Sequence, residues 1–263
     1  MSQPSAPESL QRLLPHVEQL ARDAGALILE VYGGDFAVRG KADASPVTEA
    51  DERAEALIVP ALQALTPAWP VVAEEAMARG AAPAPAALGD GFWLVDPLDG
   101  TREFVSRNGE FTVNIALVRQ GVPVLGVVYV PVADRLYAGL QGQGAWLQEG
   151  GRRAAVRCRA QPPEGPTLAG SRSHGDEAAL TAWLQGRPVA ARITAGSSLK
   201  FGLVAAGQAD LYPRLGRTME WDTAAGDAVL RAAGGCVQDL AGAPLRYGKP
   251  GFENPHFVAR GLP

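Results

Sequence analysis

Apolar residues recur at helical spacing from Leu10 through Leu13, Leu14, Val17, Leu20, Ala24, Leu27, Ile28 and Val31. They predict an amphipathic helix over about residues 9–32, ended by Gly33 and Gly34. Pro15 either kinks this helix or marks its true start. A polar loop over 40–46 follows, and then a second helical face of Ala54, Leu57, Ile58 and Leu62, with Thr48 and Asp51 at the spacing of an N-cap and its partner. Residues 70–73 read as a short buried strand that ends at Glu74 and Glu75, an acidic pair that by itself most often opens a solvated loop. The stretch 76–90 contains APAPAALGD, a low-complexity Ala/Pro linker expected on the surface.

Residues 92–95 form a buried strand that runs into Asp96, Pro97, Leu98, Asp99 and Gly100, where the proline and glycine predict a turn that stops it. From Phe111 the pattern is antiparallel sheet: FTVNIALVR, PVLGVVYVP, RLYAGL and GAWLQ, joined by QGVP and GQG. After EGGRR (149–153) strands alternate with helices. TLAGSRSH (167–174) is a strand and a polar turn, 177–184 a helix, and 189–194 a strand. AGSSLKFGLVAAGQADLYP gives a turn, helix and strand, TAAGDAVLRAAGG a helix closed by Gly234 and Gly235, and 236–239 a last strand. The expected organisation is an α plus antiparallel β half over 1–150 and an α/β half over 151–263, without internal repeats.

Composition narrows the function. The 263 residues are 47% hydrophobic, enough for one large domain or two joined halves. Acidic residues outnumber basic ones by 28 to 24, so bulk charge disfavours a nucleic-acid polymer as partner. The two cysteines, Cys158 and Cys236, form no CxxC or Cys/His pattern and read as reduced core or strand residues. No apolar run is long enough for an integral membrane segment, and MSQPSAPESLQR lacks the pattern of a signal peptide. The expected location is the cytoplasm.

The candidate chemistry is acidic. Asp51, Glu74 with Glu75, Asp96 with Asp99, and Asp222 all fall at or just past element ends. If they converge, so much negative charge requires cations, and an all-oxygen set selects magnesium or manganese over zinc. Each also has a plainer reading: a turn for Asp96 and Asp99, a helix cap for Asp51 and for Asp222. Thr101 adds a hydroxyl next to the acids. GSSLK, with Gly196, Ser197, Ser198 and Lys200, offers amides, hydroxyls and an ammonium suited to a phosphate, although the P-loop pattern is absent. Arg172 and His174 in SRSH read as part of a polar loop.

VTEAD (47–51), AEE (73–75), WLVDPLDGT (93–101) and WDTAAG (221–226), in this order and spacing, closely resemble the signature motifs of the inositol monophosphatase superfamily. Within it, residues 102–118 and 196–229 look like its bacterial 3′(2′),5′-bisphosphate nucleotidase branch, and the TTNF typical of inositol phosphatases after the DG is absent. The resemblance implies an α+β fold, an alternating α/β/α/β/α layered sandwich. It also implies a magnesium-dependent phosphomonoesterase that cuts adenosine 3′,5′-bisphosphate (PAP), a by-product of sulfate activation, to AMP and phosphate. On this resemblance Glu74, Asp96, Asp99, Asp222 and the Leu98 carbonyl hold two or three Mg²⁺ ions, and Thr101 and Asp51 activate the attacking water. The amides of Gly100 and Thr101 face the scissile phosphate, and Gly196, Ser197, Ser198 and Lys200 lie where the family holds the rest of its substrate. Lithium sensitivity and a monomeric or homodimeric state are implied in the same way. Ala73 and Arg102 depart from the commoner Ser and Lys, and neither removes a catalytic group. Two other readings are an inositol or sugar phosphatase with the same chemistry, and a non-enzymatic metal- or nucleotide-binding regulator. Retention of both Asp51 and Thr101 argues against the regulator.

Overall fold

Two mixed sheets carry the chain in a computed structural model that describes residues 6–40, 46–81, 83, 87–172 and 177–262. The elements are α1 (Ala6–Tyr32), β1 (Val38–Gly40), β2 (Pro46–Thr48), α2 (Glu49–Leu65), β3 (Val71–Ala73), α3 (Glu74–Ala78), β4 (Gly91–Asp99) and α4 (Thr101–Val105). Then come β5 (Thr112–Arg119), β6 (Val122–Val130), β7 (Arg135–Leu140), β8 (Gly144–Glu149), β9 (Arg152–Val156), β10 (Thr167–Ser171), α5 (Glu177–Leu184) and β11 (Ala191–Ala195). The chain ends with α6 (Leu199–Ala205), β12 (Leu211–Arg214), α7 (Glu220–Ala232), β13 (Cys236–Asp239) and β14 (Phe257–Arg260).

The seven-stranded sheet has the order β3-β4-β5-β6-β7-β8-β9 and is antiparallel except for the parallel β3–β4 pair. The five-stranded sheet has the order β11-β10-β12-β14-β13, with β10 parallel to both its neighbours and α5 as the crossover from β10 to β11. Helices α1 and α2 cover one face of the larger sheet, while α6 and α7 fill the space between the two sheets. The result is an α+β layered fold.

Burial on both faces explains why β4 and β5 are nearly continuous apolar runs. Trp93, Val95, Val113, Ile115 and Leu117 point into the core under α1 and α2. Phe92, Leu94, Ala116 and Val118 alternate into the core shared with α6 and α7. Asp96 pairs in register with Asn114, so strand periodicity sends both to this second face.

Helix α7 can lie close on the sheet because two glycines face it. Gly126 and Gly139 are register partners on β6 and β7, and an added Cβ would stand 2.4 Å from Ala225 O and 2.5 Å from Val229 Cα respectively. Backbone cannot step aside as a side chain can, so Gly139→Ala should cost stability at the upper end of overpacking, about 3 kcal/mol. Denaturant titration checks this, and a midpoint like that of the parent chain would contradict the close contact.

Several expectations change in detail. The first helix begins at Ala6, so Pro15 lies inside it, on the solvent side, and does not mark its start. The strand after Phe92 does not stop at Asp96. It continues to Asp99 through a bulge between Asp96 and Asp99, where Pro97 needs no ladder hydrogen bond. Glu74 and Glu75 open a short helix, and Glu75 is buried. β1, β2 and β14 were not expected, and β9 extends the antiparallel sheet past residue 150 to Val156. Residues 41–45 of the polar loop, part of the Ala/Pro stretch and His174 lie outside the described residues.

Candidate active site

The first side chain of the site is set by a helix start. Thr48 caps α2, its hydroxyl accepting from Ala50 N, and Asp51 closes the capping box by accepting at Oδ2 from Thr48 N (2.8 Å) and Thr48 Oγ1 (2.7 Å). Its other oxygen, Oδ1, accepts from Thr101 Oγ1 at 3.3 Å. One oxygen of Asp51 is therefore engaged in the cap, and the other is directed at Thr101.

Glu74 is the first residue of α3, which follows directly from β3. Asp96 is 2% exposed at the β4 bulge, and its Oδ1 accepts from Leu98 N at 3.0 Å. Asp222 sits in the first turn of α7 and accepts from Met219 N at 2.8 Å, so it is not the N-cap residue but the side chain that reaches back to it. One carboxylate oxygen from each of Glu74, Asp96 and Asp222 lies within 4.8 Å of the others. Burial, followed by the charges of Asp99 and Glu74, raises the Asp222 pKa well above the usual carboxylate value. That strain is what a cation would relieve, and an all-carboxylate donor set suits a hard divalent ion.

Asp99 stands beside this trio and is held differently. Its Oδ2 accepts from Ser197 Oγ (2.6 Å), Ser198 N (2.7 Å), Ser198 Oγ (2.7 Å) and more distantly Asn114 Nδ2 (3.4 Å). Gly100 after it has φ 91°, a left-handed conformation suited to glycine, and starts α4 with Thr101.

The GSSLK segment departs from the open anion cradle read in the sequence. Gly196 N donates to Glu110 Oε2 at 2.7 Å, while Ser198 N and both hydroxyls are directed at Asp99. Lys200 is buried, its ammonium donates to the carbonyls of Ala195 and Ser197, and it lies 5.1 Å from the centre of the Tyr212 ring. Burial pushes the Lys200 pKa down to about 8 against the opposing pull of Asp99. The segment thus positions Asp99 through its donors, and its lysine braces the loop. Arg172, read as part of a polar loop, makes a bidentate pair with Glu110 (2.8 Å to each oxygen), and this pair holds the Glu110 pKa down.

These groups open on a cavity of about 700 Å³. Glu74, Asp96, Asp99 and Asp222 line its acidic end with Leu98, Gly100 and Thr101, while Tyr212, Arg214 and Arg217 contribute to its wall. Arg214 was not foreseen. Its Nη2 donates to Arg217 O at 2.9 Å, and its Nε is a buried donor without a hydrogen-bond partner among the described residues. Asn114 was also missed, although a polar residue inside the apolar run FTVNIALV was a readable sign: its Nδ2 donates to Ser198 Oγ at 2.9 Å. Nothing around Arg214 in the sequence marks it.

Known proteins resemble this chain in sequence and in fold. The profile of the inositol monophosphatase family matches residues 9–259. The chain is 49% identical over 248 residues to the 3′(2′),5′-bisphosphate nucleotidase CysQ of Escherichia coli K12, a match covering 93% of this chain and 98% of the relative. The crystal structure of CysQ from Bacteroides thetaiotaomicron, a bacterial member of the inositol monophosphatase family, superposes with a TM-score of 0.82 at 38% identity, covering 97% of this chain and 98% of that one. The inositol monophosphatase from Anabaena superposes with a TM-score of 0.74 at 26% identity, covering 97% and 92%.

Proposed function

The chain belongs to the inositol monophosphatase family, and from that premise we propose that Glu74, Asp96, Asp99 and Asp222 hold the magnesium with which it hydrolyses adenosine 3′,5′-bisphosphate. It is a phosphatase of the 3′(2′),5′-bisphosphate nucleotidase type, releasing phosphate and AMP. The observation that carries the choice of a bisphosphate is the pairing of an acidic end with Arg214 in one cavity. A substrate with a second phosphate would bring a further anion to the wall that Arg214 and Arg217 line, whereas inositol monophosphate would not.

Magnesium supplies Lewis-acid stabilisation of phosphoryl charge and acidifies water at the acidic end. The chain's own residues do the rest. The Thr101 hydroxyl takes a proton from the attacking water and passes its own to Asp51 Oδ1, while Asp51 Oδ2 stays fixed by Thr48. A bond forms from the water oxygen to phosphorus as the bond from phosphorus to the ribose oxygen breaks, and the ribose oxygen is protonated from solvent. The Leu98 carbonyl is proposed to complete the cation's oxygen shell, and the amides of Gly100 and Thr101 to receive the phosphate. Two or three ions per site, a monomer or homodimer, and a cytoplasmic location complete the reading; no helix among the described residues is long and apolar enough to cross a membrane.

Phosphate release from PAP and from inositol 1-phosphate, measured side by side with Mg²⁺ and with EDTA, tests it. Rapid, chelator-sensitive release from PAP and little from inositol phosphate is the expected result. The reverse preference would move the substrate to the inositol branch while keeping the acidic site.

A further inference from the structure

Helix α2 carries a second buried carboxylate, Glu55, one turn after Asp51 on the same face and 4% exposed. A buried acid needs partners, and Glu55 finds them in α3. Its Oε2 accepts from Glu75 N at 2.8 Å and Ala76 N at 3.2 Å, the first-turn amides of the helix that Glu74 begins. Its Oε1 accepts from Arg79 Nη2 at 2.5 Å, the residue that closes the same helix. Ala73, the N-cap position, provides no side-chain cap of its own. One carboxylate therefore grips both ends of a five-residue helix that could not hold its shape alone.

Neither the capping of α3 nor the reach of Glu55 follows from the family's site residues. We infer that Glu55 is a positioning residue for the cation site: it fixes the start of α3, and with it the Glu74 carboxylate, at a set distance from Asp51 on the same α2 face. The inference rests on the assignment of Glu74 as a cation ligand. The substitution that matters is one of length. Glu55→Asp keeps the charge but withdraws the carboxylate by about 1.5 Å, one carbon–carbon bond, beyond reach of the two amides. Glu55→Gln keeps the reach and an acceptor oxygen for those amides, and the exposed Arg79 is free to swing into solvent.

Mn²⁺ binding to the full chain, followed by the paramagnetic resonance signal of the free ion, reads the effect without turnover. Glu55→Asp should weaken Mn²⁺ binding by about tenfold, as loss of a residue supporting a ligand does. Glu55→Gln should stay within about threefold of the parent chain, and KM for PAP at saturating Mn²⁺ should not move in either variant. Unchanged affinity in Glu55→Asp would overturn the inference, as would an equal loss in Glu55→Gln, since charge and not reach would then matter. A parent chain that fails to bind Mn²⁺ would instead overturn the cation-site reading on which the inference stands.

Discussion

Replacing Asp96 by Asn is expected to lower kcat by at least about a thousandfold and to leave the fold intact. Removal of a residue that merely supports a metal ligand costs 10–100-fold, so loss of a proposed ligand within the cluster should exceed that. Asn retains an oxygen for the Leu98 N–H, and the bulge in β4 that this bond stabilises should persist. The apo protein should be no less stable, because the change removes one negative charge from a crowded group. What should vanish is the rise in Tm that Mg²⁺ is expected to give the parent chain, since a ligand stabilises the state that binds it. Turnover with saturating Mg²⁺, and thermal unfolding with and without the ion, measure both parts. Activity within tenfold of the parent chain would remove Asp96 from the proposed site.

The second large effect falls on proton transfer. Asp51→Asn should reduce kcat by about 10²–10⁴-fold, the range of a positioned general base, with KM little changed. Its amide oxygen can still accept from Thr48, so α2 keeps its cap, while its amide nitrogen, which cannot take a proton from Thr101, faces the hydroxyl. Thr101→Ala should fall by a similar factor. The double variant should be scarcely slower than either single one, because the two residues are proposed to serve a single proton relay. Multiplying losses in the double variant would show that they act separately.

Much of this was legible in the chain. Alternation and helical spacing marked α1, α2 and the strands from β4 to β8, because each buries a regular face or two. The acids Asp51, Glu74, Asp96, Asp99 and Asp222 were each legible as carboxylates at element ends, but their convergence was an expectation of the family resemblance and of no spacing along the chain. The links between segments were not. The four donors that meet Asp99 come from β5 and from the turn before α6, and no spacing along the sequence brings residues 114 and 197–198 to residue 99. The same holds for Gly196, whose amide looked free and is taken by Glu110. Strands β1, β2 and β14 escaped notice because three or four residues carry too little periodicity by themselves, whereas the equally short β3 was marked by its apolar run and β13 by the Gly234–Gly235 stop before it. The bulge was read as a turn because Pro97 and Gly100 signal a break equally well in either case.

Asp222 stands on α7, and α7 is seated against Gly126 and Gly139 of the same sheet whose β4 carries Asp96 and Asp99. Tyr212 and Arg214, by contrast, belong to β12 in the other sheet. On the proposed reading, the reaction centre and the wall that would meet the leaving group thus come from separate layers. Substitutions along β12 can retune what the wall accepts while the carboxylates keep their spacing, so new substrate preferences can arise over generations without rebuilding the reaction centre.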